Sequence, residues 1–193
     1  MSSTNRGRSR NISDYYITPE EEINKFLDAF FKHTLIDDSS RILDPCAGGD
    51  SIHPMAYPNA LSKRGFKYIT TIDIRADSKA VLHNDYLYAN PLEDFYDLII
   101  TNPPFHIAEE IIRKAFKDAK ENGIIVMLLR LNFMGSQNRK GFWLEFPPDE
   151  IYIHSKRMCF TGDGKTDSIE YAHFVWFKEK MNEDDKQTRI VWL

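Results

Sequence analysis

Apolar residues recur along this chain with two alternating periods. Ile23, Phe26, Leu27, Phe30 and Phe31 fall at three- and four-residue spacing, the stripe of an amphipathic helix. Thr18 precedes them, with Pro19 next and Glu21 three positions on, which predicts a capping box at the helix start. The period then shortens. Arg41–Asp44 and Tyr68–Asp73 are short apolar runs that end in an aspartate, and Ala80–Leu82, running towards Asn84 and Asp85, is a weaker third. Asp97–Ile100 is a fourth, ending at Thr101-Asn102-Pro103-Pro104-Phe105. A second helical face follows (Ala108, Ile111, Ile112, Ala115, Phe116 and Ala119), with Gly123 as its expected stop. Ile124–Leu131, apolar except for Arg130, reads as a strand buried on both faces.

Strands that alternate with helices imply right-handed crossovers and a Rossmann-like α/β fold with a mostly parallel, doubly wound sheet. Glu150–His154 and Tyr171–Phe177 add an antiparallel strand pair at the C-terminal end. The expected organisation is a basic arm over residues 1–13, one domain over 14–178 and a charged tail over 179–193. Within that tail Ile190–Leu193 is too apolar to dangle.

Composition narrows the class. A chain of 193 residues supports one full domain, and 42% hydrophobic residues fill a core rather than a disordered polymer. Two cysteines, Cys46 and Cys159, exclude a disulfide scaffold and a four-thiolate zinc site, and they suit a reducing cytoplasm. Ile124–Leu129 is the longest apolar run, far below the roughly 20 residues of a membrane span. No apolar stretch stands behind the N-terminal charges, so no secretory signal is expected. The net charge of −4 conceals an asymmetry: Arg6, Arg8 and Arg10 sit in a segment with no acid, and residues 14–193 hold 22 basic against 29 acidic groups. The arm is either a grip for phosphates or a solvated tail.

In sheets of this kind ligands bind beyond the carboxyl ends of the strands, where strand order reverses. Asp44, Asp73, Asp85 and Asn102 are all expected at that edge. After Asp44, the turn Pro45-Cys46-Ala47-Gly48-Gly49-Asp50 carries two glycines that let backbone approach a ligand closely, although its spacing is not that of the dinucleotide fingerprint. Asp73 can accept both hydroxyls of a ribose, and Asp85 can accept from an adenine amine. Asn102-Pro103-Pro104-Phe105 is the sharpest signal. Two prolines after a buried strand make a rigid extended corner. They aim the Asn102 side-chain oxygen and the Pro103 carbonyl at a planar amine, beside an aromatic face for a base. Gly162-Asp163-Gly164-Lys165-Thr166 fails as a phosphate loop, because Cys159 stands where its first glycine belongs. The six histidines show no metal-ligand spacing, so no metal is expected.

These residues resemble the N6-adenine class of S-adenosylmethionine-dependent methyltransferases, and in particular small phage or prophage DNA adenine methyltransferases. The Asp-Pro-Cys-Ala-Gly-Gly turn is similar to that family's cofactor loop, Asn-Pro-Pro-Phe to its catalytic motif, and Tyr16-Ile17-Thr18-Pro19 to its upstream cofactor segment, in the same chain order. The resemblance runs from about Tyr16 to Phe133, and Ser155–Phe160 through Trp176 looks like the end of the small members. It implies S-adenosyl-L-methionine as cofactor and Asn102, Pro103, Pro104 and Phe105 as the catalytic residues. Tyr16, Thr18, Pro19, Asp44, Pro45, Cys46, Ala47, Gly48, Gly49, Asp73, Ile74, Asp85 and Asn102 would contact the cofactor. The implied partner is nucleic acid, DNA favoured over RNA; a non-catalytic nucleic-acid-binding module with the same fold is the alternative from another class.

Basic groups interleave with aromatics over residues 130–165, where most of the aromatics are expected in the core. Arg130 and Asn132 should face the cleft, and Phe133, Arg139, Lys140, Lys156 and Arg157 complete the expected nucleic-acid contacts. Two departures stand out. Asp50 occupies a loop position where the family has a small residue. And only 60 residues follow Phe133, too few for a separate recognition domain, so a partner subunit for target recognition enters as an expectation.

Overall fold

The computed structural model describes residues 17–90, 92–160, 168–180 and 187–193. The expected strands form as β1 (Arg41–Asp44), β2 (Tyr68–Asp73) and β4 (Tyr96–Thr101), while β3 shrinks to Leu82–His83, which shares only Leu82 with the expected Ala80–Leu82. The apolar run after α3 (Ala108–Asp118) is β5 (Ala119–Arg130), and β6 (Glu150–Ile153) and β7 (Tyr171–Phe177) form the antiparallel pair. β8 (Arg189–Trp192) adds to β6 in parallel, so the segment expected as a charged tail ends in a strand of the sheet. The strand order is β3-β2-β1-β4-β5-β7-β6-β8. All neighbours are parallel except those of β7, so the fold is the mostly parallel α/β sheet expected.

Each central strand supplies both faces by simple alternation. Ile42, Leu98, Ile100 and Val126 pack against α1 (Glu20–Phe30) and α2 (Ala56–Ser62), while Leu43, Ile99, Ile125 and Met127 pack against α3 and α4 (Lys140–Glu145). Three-layer burial of this kind leaves the strand ends as the place for polar chemistry.

Two local expectations are corrected. The N-cap of α1 is Pro19, with no side-chain cap: its carbonyl receives the Glu22 and Ile23 N–H groups, and the Thr18 hydroxyl is engaged elsewhere. Gly123 does not end α3, which stops at Asp118; it lies within β5, where a Cβ would sit 2.9 Å from Lys120 backbone and from the Tyr96 carbonyl oxygen. The pairing register between β4 and β5 shifts there, between Tyr96 and Leu98, so the glycine serves close backbone approach at an irregular step. Among the described residues no helix is long and apolar enough to cross a membrane.

Candidate active site

Strand order reverses between β1 and β4, and a cleft opens over their carboxyl ends. Its floor is the turn after β1. Ala47 N–H donates to the Ile72 carbonyl at 2.9 Å, tying the turn to β2. Gly48 and Gly49 then adopt φ of 63° and 72°, the left-handed region that side chains disfavour. At Gly49 a Cβ would lie 2.8 Å from Met55 Cγ, so conformation and space both require glycine. Gly48 N–H donates to Asp73 Oδ2 at 2.7 Å, its carbonyl accepts from the Ser78 hydroxyl, and Arg75 Nη2 reaches the Gly49 carbonyl at 3.5 Å.

Three carboxylates line this cleft, each held differently. Asp44 is 1% exposed, and burial pushes its carboxyl up to about 7, outweighing the Cys46 N–H that donates to it. Asp73 accepts backbone N–H groups on both oxygens, from Gly48 and, at 2.8 Å, from Arg75. Asp85 accepts the Leu87 N–H at 3.0 Å, and the neighbouring Tyr86 hydroxyl donates at 2.8 Å to Asp118 at the end of α3, which fixes this loop to the body. Asp50 points elsewhere. It accepts the Ile52 and His53 N–H groups and meets the His53 ring, which hold its carboxyl down at about 2, and it is not part of the cleft wall.

The opposite wall is the corner after β4. Asn102 Nδ2 donates to Thr18 Oγ1 at 3.0 Å, so one of its two amide N–H groups is held by the segment before α1, and no described residue claims its side-chain oxygen. Pro103 and Pro104 extend the chain, and Phe105 begins a single 3₁₀ turn that leads into α3. Phe105 lines the cleft, but one face of its ring carries the Arg130 guanidinium, 4.7 Å from the centroid, and Tyr171 tilts against it at 6.0 Å.

Thr18, Asp44–Gly49, Asp73, Ile74, Asp85 and Asn102–Phe105 therefore meet around one cleft. Pro19 does not reach it, and Tyr16 lies outside the described residues, as do the arm arginines and Gly162–Thr166. Tyr57, Arg75, Tyr86 and Leu87 were not anticipated. The signal for three of them was position, one or two residues past a strand-end aspartate; Tyr57, on α2, gave none.

The expected polymer contacts separate. Phe133 is 4% exposed and packs edge-on against Trp143, so it offers no surface to a polymer. Arg139 stacks on the Phe133 ring and pairs with Glu109, Lys156 pairs with Glu21, and Arg157 lies 3.7 Å from Glu170. Asn132 and Lys140 are exposed, and neither Arg130 nor Asn132 lines the cleft that both were expected to face.

No known family profile matches the chain. Solved structures do. A candidate class I S-adenosylmethionine-dependent methyltransferase of Listeria monocytogenes superposes with a TM-score of 0.62 at 17% identity, covering 92% of this chain and 65% of that one. The methyltransferase subunit of a type I restriction-modification system from Streptococcus thermophilus gives 0.65 at 11%, over 92% of this chain and 47% of that one. A candidate RNA methyltransferase of Pyrococcus horikoshii gives 0.60 at 13%, over 86% and 87%. The chain thus spans about two thirds of the first and about half of the second. Candidate hemolysins share the fold at comparable scores, so the likeness carries architecture and leaves activity to the site.

The site's own chemistry suits S-adenosyl-L-methionine. A glycine turn gives close backbone approach, Asp85 offers a carboxylate to an amine, and Ile74, Leu87 and Ile107 give apolar walls to a purine.

Proposed function

We propose that this chain is an S-adenosylmethionine-dependent methyltransferase acting on the exocyclic N6 amine of adenine in nucleic acid, DNA in preference to RNA. The observation that carries the reading is Asn102: Thr18 holds its amide at the end of β4, in the same cleft as the Gly48–Gly49 turn and three carboxylates. Bound S-adenosylmethionine would supply an electrophilic methyl on a sulfonium. Asp73 would receive ribose hydroxyls on its remaining lone pairs, Asp85 the adenine amine, and Ile17 and Thr18 would close the methionine end.

The amine of adenine is a weak nucleophile because its lone pair is conjugated with the ring. Asn102 Oδ1 and the Pro103 carbonyl would each accept one amine N–H. That draws the nitrogen towards tetrahedral geometry and turns the lone pair out of the ring plane. Two prolines keep both acceptors in place before the target arrives, so the contribution is orientation and preorganised electrostatics. Phe105, which lines the cleft, would offer its ring to the base. As one methyl arrives, one amine proton leaves to solvent. A duplex target would have to be flipped out, at a few kcal/mol.

Among the described residues, Arg139, Lys156 and Arg157 are each paired with a carboxylate rather than free to read a sequence. The chain would therefore work with a partner subunit that selects the target, in keeping with the restriction-modification neighbour being itself a subunit. The test is transfer of a tritiated methyl to separate DNA, RNA and protein pools, followed by nucleoside identification. N6-methyladenine from DNA is expected, with Asn102→Ala reducing transfer at least about a hundredfold, the usual scale for removing one preorganised donor or acceptor. Label found only in protein, or a variant as fast as the parent, overturns the reading.

A further inference from the structure

Arg130 closes β5 opposite Tyr171, at the edge of the sheet where the catalytic corner stands. Its guanidinium lies on Phe105, 4.7 Å from the ring centroid, and its Nε is buried without a hydrogen-bond partner. Among the described residues no carboxylate pairs with it. Arg139, Lys156 and Arg157, the neighbouring cations, each have one. The buried Nε has no acceptor, an unfavourable arrangement for folding alone, since a buried donor without an acceptor forfeits its hydration. The arrangement fits a group that awaits an anion.

We infer that Arg130, stacked on Phe105, forms a subsite for a phosphodiester next to the target adenine. This rests on the adenine methyltransferase reading, and it names what that substrate must carry: the base would meet Phe105 where it lines the cleft, and the anions of a nucleotide are its phosphates. The planar fork of a guanidinium matches two phosphate oxygens at once, which a lysine ammonium cannot do. Phe105 holds the fork flat, so the ring that receives the base also positions the cation that receives the backbone. Free adenine, adenosine or a glutamine side chain would leave the subsite unfilled, and a polynucleotide would fill it.

The test is binding of a short fluorescent single-stranded oligonucleotide containing one adenine, with one linkage at a time made a neutral methylphosphonate. Parent, Arg130→Gln and Arg130→Lys proteins are compared, with S-adenosylmethionine affinity as the check that each is folded. One linkage beside the adenine should weaken parent binding about tenfold when neutralised, about the loss of one charged contact, and should not affect Arg130→Gln. Arg130→Gln should also lower the salt slope by about 0.7, whereas Arg130→Lys keeps the slope and loses part of the affinity. Additive effects of Arg130→Gln and methylphosphonate at every position overturn the subsite. So does a parent protein indifferent to every adjacent linkage, or one that binds no oligonucleotide. Because the readout is binding, the two readings separate: an Arg130-dependent linkage without N6-methyladenine keeps the subsite and overturns the chemistry. Methylation with a KM unaltered by Arg130→Gln does the reverse.

Discussion

Thr18 shows how one hydroxyl can be claimed by two structures. Its place before an amphipathic stripe marks it as a helix cap, and Thr-x-x-Glu is the pattern of a capping box. The helix instead begins one residue later, with the Pro19 carbonyl as acceptor, and the Thr18 oxygen accepts the Asn102 amide 84 positions away. Long-range partners of this kind cannot be read from local spacing. The consequence is functional: without that acceptor, Asn102 would be able to turn its N–H towards the target and present a donor where an acceptor is needed. Thr18→Val should therefore lower kcat about tenfold or more while Thr18→Ser stays near the parent, tenfold being the cost of about 1.4 kcal/mol of lost orientation. Steady-state methyl transfer with both variants checks this; a loss in Thr18→Ser with Thr18→Val near the parent would mean that the methyl group of Thr18 matters instead of its hydroxyl.

At the scale of elements, the central strands and the two sharp turns were legible because each has a local cause. β1 and β2 carry apolar runs that end in an acid, the prolines after Asn102 forbid further pairing, and Gly48-Gly49 supplies the left-handed turn. Gly123 was misread because a glycine after a helical stripe is the ordinary C-terminal signal. Its true role depends on how closely β4 passes β5, which no window of sequence reports. α2 was missed for a related reason: its seven residues are too few for a period, and Pro58 sits inside it. The glycine turn makes a sharp prediction. Gly49→Ala must place a Cβ in the left-handed region and 2.8 Å from Met55, with the Met55 backbone at 3.0 Å, so side-chain movement alone cannot relieve it. We expect a loss of about 1–3 kcal/mol in stability from backbone strain, and a loss of S-adenosylmethionine binding of at least tenfold. Urea denaturation and calorimetry read the two effects; an unaffected ligand affinity in a folded variant would detach this turn from the cofactor.

For the whole molecule, the hidden part is the polar interior. Tyr57, on the cleft wall, meets His173 Nε2 at 2.9 Å; His173 Nδ1 meets His154 Nε2 at 2.8 Å, and His154 Nδ1 meets Glu22 of α1 at 2.8 Å. The four residues come from α2, β7, just past β6 and α1, so no spacing announces them. Burial lowers the pKa of both histidines, that of His173 far below 6.5 with the charge of His154 adding to it, while burial raises Asp44 to about 7. The signs oppose. Below pH 6.5 the unfolded chain takes up protons that the two folded histidines refuse, so stability falls as the medium becomes acidic, by about 1.4 kcal/mol per pH unit for each histidine at most. Between about 7 and the unfolded value of 3.8, folded Asp44 keeps a proton that the unfolded chain has shed, so Asp44 alone makes stability rise on acidification and offsets one of the two histidines. Asp44→Asn removes that offset. Its stability relative to the parent should be greatest above pH 7 and should shrink steadily down to about pH 4, giving the variant the steeper acid limb. Urea midpoints measured across that range for both proteins decide the matter: parallel limbs would mean that Asp44 is ionised in the folded cleft, and the electrostatic picture of its floor would have to change.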